Sequence, residues 1–435
     1  MVDAAGLTPT AADEVVELCR DLIRIDSTNP TRDERAAAEH VAELLTDAGL
    51  EPRLLESEPG RASVVARWDG EDPNRPALLV HGHLDVVPAD AADWQVDPFS
   101  GEVRDGCVWG RGAVDMKDMD AMTLALVRDW VRQGRRPPRD VVLAFVADEE
   151  AGGVKGAGYL VEQHPELFEG CTEAISEVGG FSITVGGRRL YLVETAEKGI
   201  QWLTLVARGR AGHGSMLNDD NAVTALAEAV ARVGNHQWPT QLTPAVEEFL
   251  RALCEELGIT FDSTDVESVL AKLGSIAKMI GATLRHTTNP TMLDAGYKHN
   301  VIPQTATASI DCRLLPGGEE RFFETLRELV GPDVAVEVLY SSPAYETTFD
   351  GDLVDAMTAA LLAEDPDARA VPYCLSGGTD AKSFAQLGMR CFGFSPLRLP
   401  AELDFAGMFH GIDERVPIEA LQFGTRVLSR FLALS

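Results

Sequence analysis

The chain has no apolar run long enough to cross a membrane. Its longest, such as Val141 to Ala147, are strand-length, whereas a bilayer-spanning helix needs roughly 20 residues. Met1 to Thr10 has neither the basic start nor the apolar stretch of a secretory leader, so the expected address is the cytoplasm. The seven cysteines are scattered, odd in number and nowhere in CxxC spacing, and are read as reduced and mostly structural. Positive charge is scarce: 38 Lys and Arg stand against 69 Asp and Glu, a formal net charge of −31. Phosphate backbones and anionic lipid are bound through clustered Lys and Arg, so neither nucleic acid nor a membrane is an expected partner. The acidic surface reads first as an aid to solubility. The glycines of GGVKGAG, Gly152 to Gly158, are not followed by GK[ST], which removes a phosphate loop and leaves a turn.

What is present is apolar residue in quantity. At 435 residues and 45% hydrophobic, the chain exceeds the roughly 250 to 300 residues that one core supports, so two domains are expected. Ala11 to Ile25 and Asp33 to Ala48 have the one-sided apolar spacing of helices, the second ending at Gly49. Ser63 to Trp68, Ala77 to Val80 and Val141 to Val146 are short strand-like runs, with a helical stretch from Met116 to Gln133 between them. That alternation predicts an α/β domain with a mainly parallel central sheet flanked by helices, in which ligands sit beyond the carboxyl ends of the strands. From Lys198 the texture changes: Gln201 to Arg208 and Thr305 to Arg313 alternate like strands, and Asn221 to Val233 and Thr243 to Ile280 look helical. The expected organisation is therefore a catalytic domain over 1–197, an inserted α+β domain over 198–344, and completion of the first domain by 345–435.

Five segments carry chemistry. HGHLDVVP, His81 to Pro88, follows a strand and places His83 at its carboxyl end. Asp85, two residues on, falls on the same side in extended geometry and is expected to hold the His83 ring. WGRGAVDMKD, Trp109 to Asp118, delivers Asp115 at a helix start; alone, that Asp reads rather as a helix cap or a turn salt bridge. The strand Val141 to Ala147 runs straight into Asp148, Glu149 and Glu150, and three adjacent acids on a buried strand end repel one another unless cations or protons compensate. AISEVGG, Ala174 to Gly180, ends another apolar run in Glu177, and FHGIDERVP, Phe409 to Pro417, supplies His410. His83, Asp115, Glu150, Glu177 and His410 form the mixed nitrogen and oxygen set that zinc favours. With Asp115 bridging, each of two ions gains three protein ligands and room for a shared water. Glu149, left over beside a ligand, is then placed to take that water's proton and pass it to a leaving amine.

Together these segments resemble, in type, order and approximate spacing over nearly the whole chain, the co-catalytic zinc hydrolases that include aminoacylases, acetylornithine deacetylase, succinyl-diaminopimelate desuccinylase and the glutamate and yeast S-type carboxypeptidases. The resemblance implies two Zn2+ (Co2+ or Mn2+ as substitutes), one held by His83, Asp115 and Glu177 and the other by Asp115, Glu150 and His410. It implies Glu149 as base, and a lid in the inserted domain that commonly makes a homodimer. RGRAGHGS, Arg208 to Ser215, is similar to the family segment whose histidine, here His213, reaches across a dimer to stabilise the oxyanion. YKHNVIPQTATASIDCR, Tyr297 to Arg313, resembles the segment whose asparagine and arginine, here Asn300 and Arg313, help bind substrate; Arg313 has the fork that suits a carboxylate, or else pairs internally with Asp311. LSGGTD, Leu375 to Asp380, resembles a substrate-side loop in which Gly377, Gly378 and Thr379 offer donors. The extra helices between Thr243 and Ile280 look closest to the S-type carboxypeptidase and N-acyl-amino-acid hydrolase branch. The implied activity is metal-dependent hydrolysis of an amide next to a free carboxylate, in N-acyl amino acids or small peptides. The alternatives are a dipeptidase or deacylase of one biosynthetic intermediate, and a catalytically silent metal-binding scaffold.

Overall fold

Ala77–His83 and Val141–Val146 are buried along their whole length, as strands covered on both faces must be. They lie side by side in a ten-stranded sheet. The order along it is Arg53–Glu58, Arg61–Trp68, Val141–Val146, Ala77–His83, Cys171–Ser176, Arg390–Gly393, Arg188–Glu197 and Tyr345–Glu346, with Ser182–Val185 and Arg369–Leu375 also pairing with Arg188–Glu197. The four strands from Val141–Val146 to Arg390–Gly393 are mutually parallel, and the pairings on either side are antiparallel. This computed structural model describes residues 2–273 and 276–435. Met1, and Gly274 and Ser275 within the expected helical insert, lie outside the described residues.

Pro9–Arg24 buries Ala11, Val15, Leu18, Leu22 and Ile23 on one face and starts with Pro at its first position, where no intrahelical N–H is needed. Lys117–Arg132 is buried nearly all round and packs against both Pro9–Arg24 and the C-terminal helix Ile418–Leu434. It reaches the C-terminal helix through Trp130, whose indole N–H donates to Ser429 (2.9 Å). Among the described residues, no helix is long and apolar enough to cross a membrane. All seven cysteines are free.

Contacts divide the chain into two units. One comprises the residues up to Thr195 together with Thr347–Tyr373 and Thr379–Ser435; the other comprises Ala196–Glu346 with Cys374–Gly378. The sequence reading carries all of 345–435 with the first domain, whereas Cys374–Gly378 group with the second unit. The second unit is built on an antiparallel sheet in the order Thr287–Ala295, Thr305–Leu314, Gly199–Arg208, Val334–Ser342. Thr305–Leu314 alternates buried and half-buried residues without a break, the period-2 pattern of a sheet covered on one face. The covering helices are Ala222–Asn235 and Glu319–Val330, and Leu205, Ile310, Cys312, Phe322 and Leu326 fill the core between.

Candidate metal centre

Three of the four parallel strands run at their carboxyl ends into the acids and histidine singled out above. Ala77–His83 ends in His83; Val141–Val146 leads to Glu149 and Glu150; Cys171–Ser176 leads to Glu177. His83 Nε2 stands 3.1 Å from Asp115 Oδ1 and 3.6 Å from Glu177 Oε2. The other oxygen of Asp115 is 3.3 Å from His410 Nε2, which is itself 3.1 Å from Glu150 Oε2. Asp115 thus presents one oxygen to each histidine. His83, Glu149 and Glu177 each offer a ligand atom within 4.8 Å of the others, as do His83, Asp115 and Glu150. His83, Asp115, Glu150, Glu177, His410 and Glu149 all converge in the first unit.

Holding them there strains the backbone. Asp148, Val178 and His410, each in or beside this set, lie in the left-handed region at φ +70°, +53° and +58°. A β-branched valine is rare there, and such outliers persist where the surroundings over-determine them, often at functional sites. The charges are equally constrained. Burial raises the carboxyl of Glu177 to about 7 and that of Glu149 well above the usual range, His83 opposing and neighbouring acids adding to it. Burial works against the charged His83 ring too, but Glu177, Asp115 and Glu149 outweigh it and push the ring well above the imidazole range. Hydrogen bonds to Asp115 and Glu150 raise His410 to about 10. The cluster therefore crowds more acids than its two histidines neutralise. Glu150 Oε1 is buried without a hydrogen-bond partner among the described residues. Imidazole and carboxylate donors, short of positive charge and arranged in two overlapping sets, fit a pair of divalent cations.

Asp85 departs from the expectation. Its carboxylate is 3.6 Å from His83 Nδ1, whereas its main-chain carbonyl is at 3.0 Å. The strand ends at His83, so the extended geometry that puts i and i+2 on one side has already stopped. The carboxylate accepts instead from the main-chain N–H of Glu149 and Glu150 (3.1 Å each) and from the Asn29 amide (2.9 Å), and so pins the turn that carries both glutamates.

Apart from Thr379, the remaining expected residues belong to the second unit. His213 is exposed on the two-residue strand Gly212–His213, paired with Val301–Ile302, and its Nδ1 is 2.8 Å from Ser215 Oγ. Asn300 is beside it, its carbonyl accepting from Gly214 N–H (2.9 Å). Arg313 puts its fork on Asp311, Nε and Nη2 at 2.7 and 3.1 Å. His213, Asn300, Arg313, Gly377 and Gly378 belong to the second unit and Thr379 to the first. The Thr379 hydroxyl accepts from Ala381 N–H (3.1 Å).

Several residues escaped the sequence reading. Asp380 is buried near Glu149, with Oδ2 unpartnered among the described residues. Fully buried Lys117 spends its ammonium on the carbonyls of Leu22 and Ile25 (3.0 Å each) and on Ser27 Oγ (3.1 Å). Both lie inside segments already marked by their neighbours, which was the available signal. Asn29 had none.

Against known proteins, the model described as peptidase family M20/M25/M40 matches residues 79–434. The chain is 29% identical over 387 residues to a probable carboxypeptidase S-like 2 of Dictyostelium discoideum, covering 82% of this chain and 71% of that one. It is 28% identical over 428 residues to aminoacylase-1 of Sus scrofa, covering 96% and 94%. Among solved structures, a metallo-carboxypeptidase from Sulfolobus solfataricus superposes with a TM-score of 0.76 at 20% identity over 97% of this chain and 99% of that one, which speaks to the fold.

Proposed function

From the premise that the chain belongs to peptidase family M20/M25/M40 and is a metal-dependent amide hydrolase, we propose that it acts on N-acyl amino acids or small peptides whose scissile amide lies next to a free carboxylate. The observation that carries this reading is Asp115 with one oxygen toward each of two histidines, and Glu149 beside them. His83, Asp115 and Glu177 would hold one ion and Asp115, Glu150 and His410 the other, with zinc as the resident metal and cobalt or manganese as substitutes. Bound there, the ions would bring the pKa of a water between them toward about 7 and polarise the substrate carbonyl.

The chain's own groups do the rest. Glu149 takes one proton from the water as its oxygen attacks the carbonyl carbon. It returns that proton to the amine nitrogen as the C–N bond breaks. Burial lifts its carboxyl above the ordinary range, which strengthens its hold on the proton that it takes from the water. Asp85 keeps Glu149 and Glu150 on one turn by gripping both N–H groups. On the second unit, His213 and Asn300 side by side support a role in steadying the oxyanion; Arg313, whose Nε and Nη2 are engaged by Asp311, would meet a substrate carboxylate through its remaining Nη1. Gly377, Gly378 and Thr379 would line the substrate side.

A homodimer through the second unit is part of the same reading. Its support is the edge strand Thr287–Ala295, which leaves Met292 and Leu293 70% and 66% exposed. The cytoplasm is the proposed address, with the seven free cysteines as support.

Metal analysis of the purified protein, with hydrolysis of a panel of N-acyl amino acids and dipeptides before and after chelation, tests the proposal. About two ions per chain, with activity lost to chelator and restored by zinc, is the expected result. Turnover indifferent to chelator, or a metallated protein that cleaves none of the panel, rejects it. The preferred panel member separates aminoacylase, dipeptidase and carboxypeptidase.

A further inference from the structure

His410 differs from the other four residues of the centre. His83, Glu150 and Glu177 stand at or just past strand ends and Asp115 at a helix start, but His410 sits on an irregular loop with its side chain 58% exposed. Something else must hold it in place. Four residues on, Glu414 is completely buried and its carboxylate accepts three hydrogen bonds. Oε2 receives Arg111 Nη1 (2.7 Å) and Gly112 N–H (3.1 Å), and Oε1 receives Val114 N–H (2.7 Å). Val114 is the residue immediately before Asp115. Arg111, 3% exposed and lying over the Trp94 ring, returns the connection: its Nη2 donates to the carbonyl of Gly411 (2.9 Å), the residue immediately after His410. The main chain adds a further tie, with Gly110 N–H donating to the Glu414 carbonyl (3.0 Å).

We propose that the buried Arg111–Glu414 pair is a positioning device for the second cation: it clasps the loop bearing His410 to the loop bearing Asp115 and so sets the distance between the two ligands. The inference rests on the two-cation reading above. Two interlocked loops, each one residue from a ligand, are joined by one ion pair and four hydrogen bonds to main-chain groups. His83 and Glu177 do not depend on the clasp, since their strands are fixed by the parallel ladder. Loosening the pair therefore releases His410 first. Partners outside the ligand shell typically contribute about 10- to 100-fold to metal affinity.

The test is zinc titration of the metal-free full chain against a chromophoric chelator, comparing the wild type with Glu414→Gln. The amide keeps the shape but has one oxygen for three donors, so either Val114 N–H or the Arg111–Gly112 side loses its acceptor. Expected is a wild type with two ions and a variant in which one ion is held as before and the other at least tenfold more weakly. Two ions held as tightly as in the wild type, or both weakened alike, overturns the clasp alone. A wild type that takes up fewer than two ions overturns the two-cation reading and the clasp with it. Should Glu414→Gln fail to fold, Arg111→Lys keeps the charge on Glu414 but loses the fork to Gly411, and the same weakening confined to one ion is required of it.

Discussion

Replacing Glu149 by Gln separates its role as a base from any role in holding the fold. Glu149 offers an oxygen within 4.8 Å of ligand atoms on both His83 and Glu177. At that separation, and an effective dielectric constant of about 20, two unit charges interact by about 3 kcal/mol. Attraction to a protonated His83 and repulsion from Glu177 act in opposite directions, the His83 effect being the larger. What is left is burial, together with the nearby acids Asp380 and Glu150, and all of these disfavour the charged glutamate. Gln keeps the shape and removes the charge, so the metal-free variant should melt at the wild-type temperature or above it. Activity moves the other way. A positioned group that transfers the proton contributes about 10²- to 10⁴-fold, which is about 3–5 kcal/mol of barrier. The assay is kcat and KM on the best substrate of the panel, metal content, and the melting temperature after chelation. kcat should fall by at least about a hundredfold with bound metal unchanged. A variant within tenfold of the wild-type kcat, or a metal-free variant melting several degrees lower, refutes the reasoning.

Three other perturbations follow from the packing. Lys117→Met takes the ammonium from the carbonyls of Leu22 and Ile25 and from the Ser27 hydroxyl; Leu22 keeps the Ile25 N–H and Ser27 its bond to the Leu84 carbonyl, so the Ile25 carbonyl loses most. Leaving one buried group unpaired costs about 1–3 kcal/mol, partly offset by removing a buried charge, so urea denaturation should show a net loss of about 1–2 kcal/mol. Phe322, fully buried against Trp238 and His286, is the keystone of the second unit's core. Phe322→Ala should lower stability by about 3–5 kcal/mol, read as an earlier denaturant midpoint for that unit. Asp365 accepts from Arg189 (Nη2 at 2.8 Å) and the Tyr191 hydroxyl (2.9 Å); the Arg189 bond outweighs burial and holds the carboxyl below its ordinary value. A folded pKa below the unfolded one stabilises above the ordinary aspartate range near about 3.9, and the contribution is lost as pH falls through the folded value. Asp365→Asn should flatten that acid limb in thermal melts between pH 5 and 2, about the range over which such a carboxylate titrates.

The sequence by itself determined the elements and most of the chemistry. Apolar runs interrupted by acids placed His83, Glu149, Glu150 and Glu177 at strand ends, because an uncompensated carboxylate is costly in the middle of a buried strand. The helical stretch expected over Met116 to Gln133 is observed at Lys117–Arg132. Tertiary structure alone decided which atoms meet. It set Asp115 between two histidines 327 positions apart in sequence, His83 and His410. It turned the Asp85 carboxylate onto the Glu149–Glu150 turn rather than the His83 ring, and paired Arg111 with Glu414 across 303 positions. Cys374–Gly378 likewise joined the second unit by its contacts, against its position in the chain. The physical reason is one of range. Periodicity and strand-end chemistry act over a few neighbouring residues and are written locally. A hydrogen bond across hundreds of residues exists only once the sheet has brought its loops to the same edge.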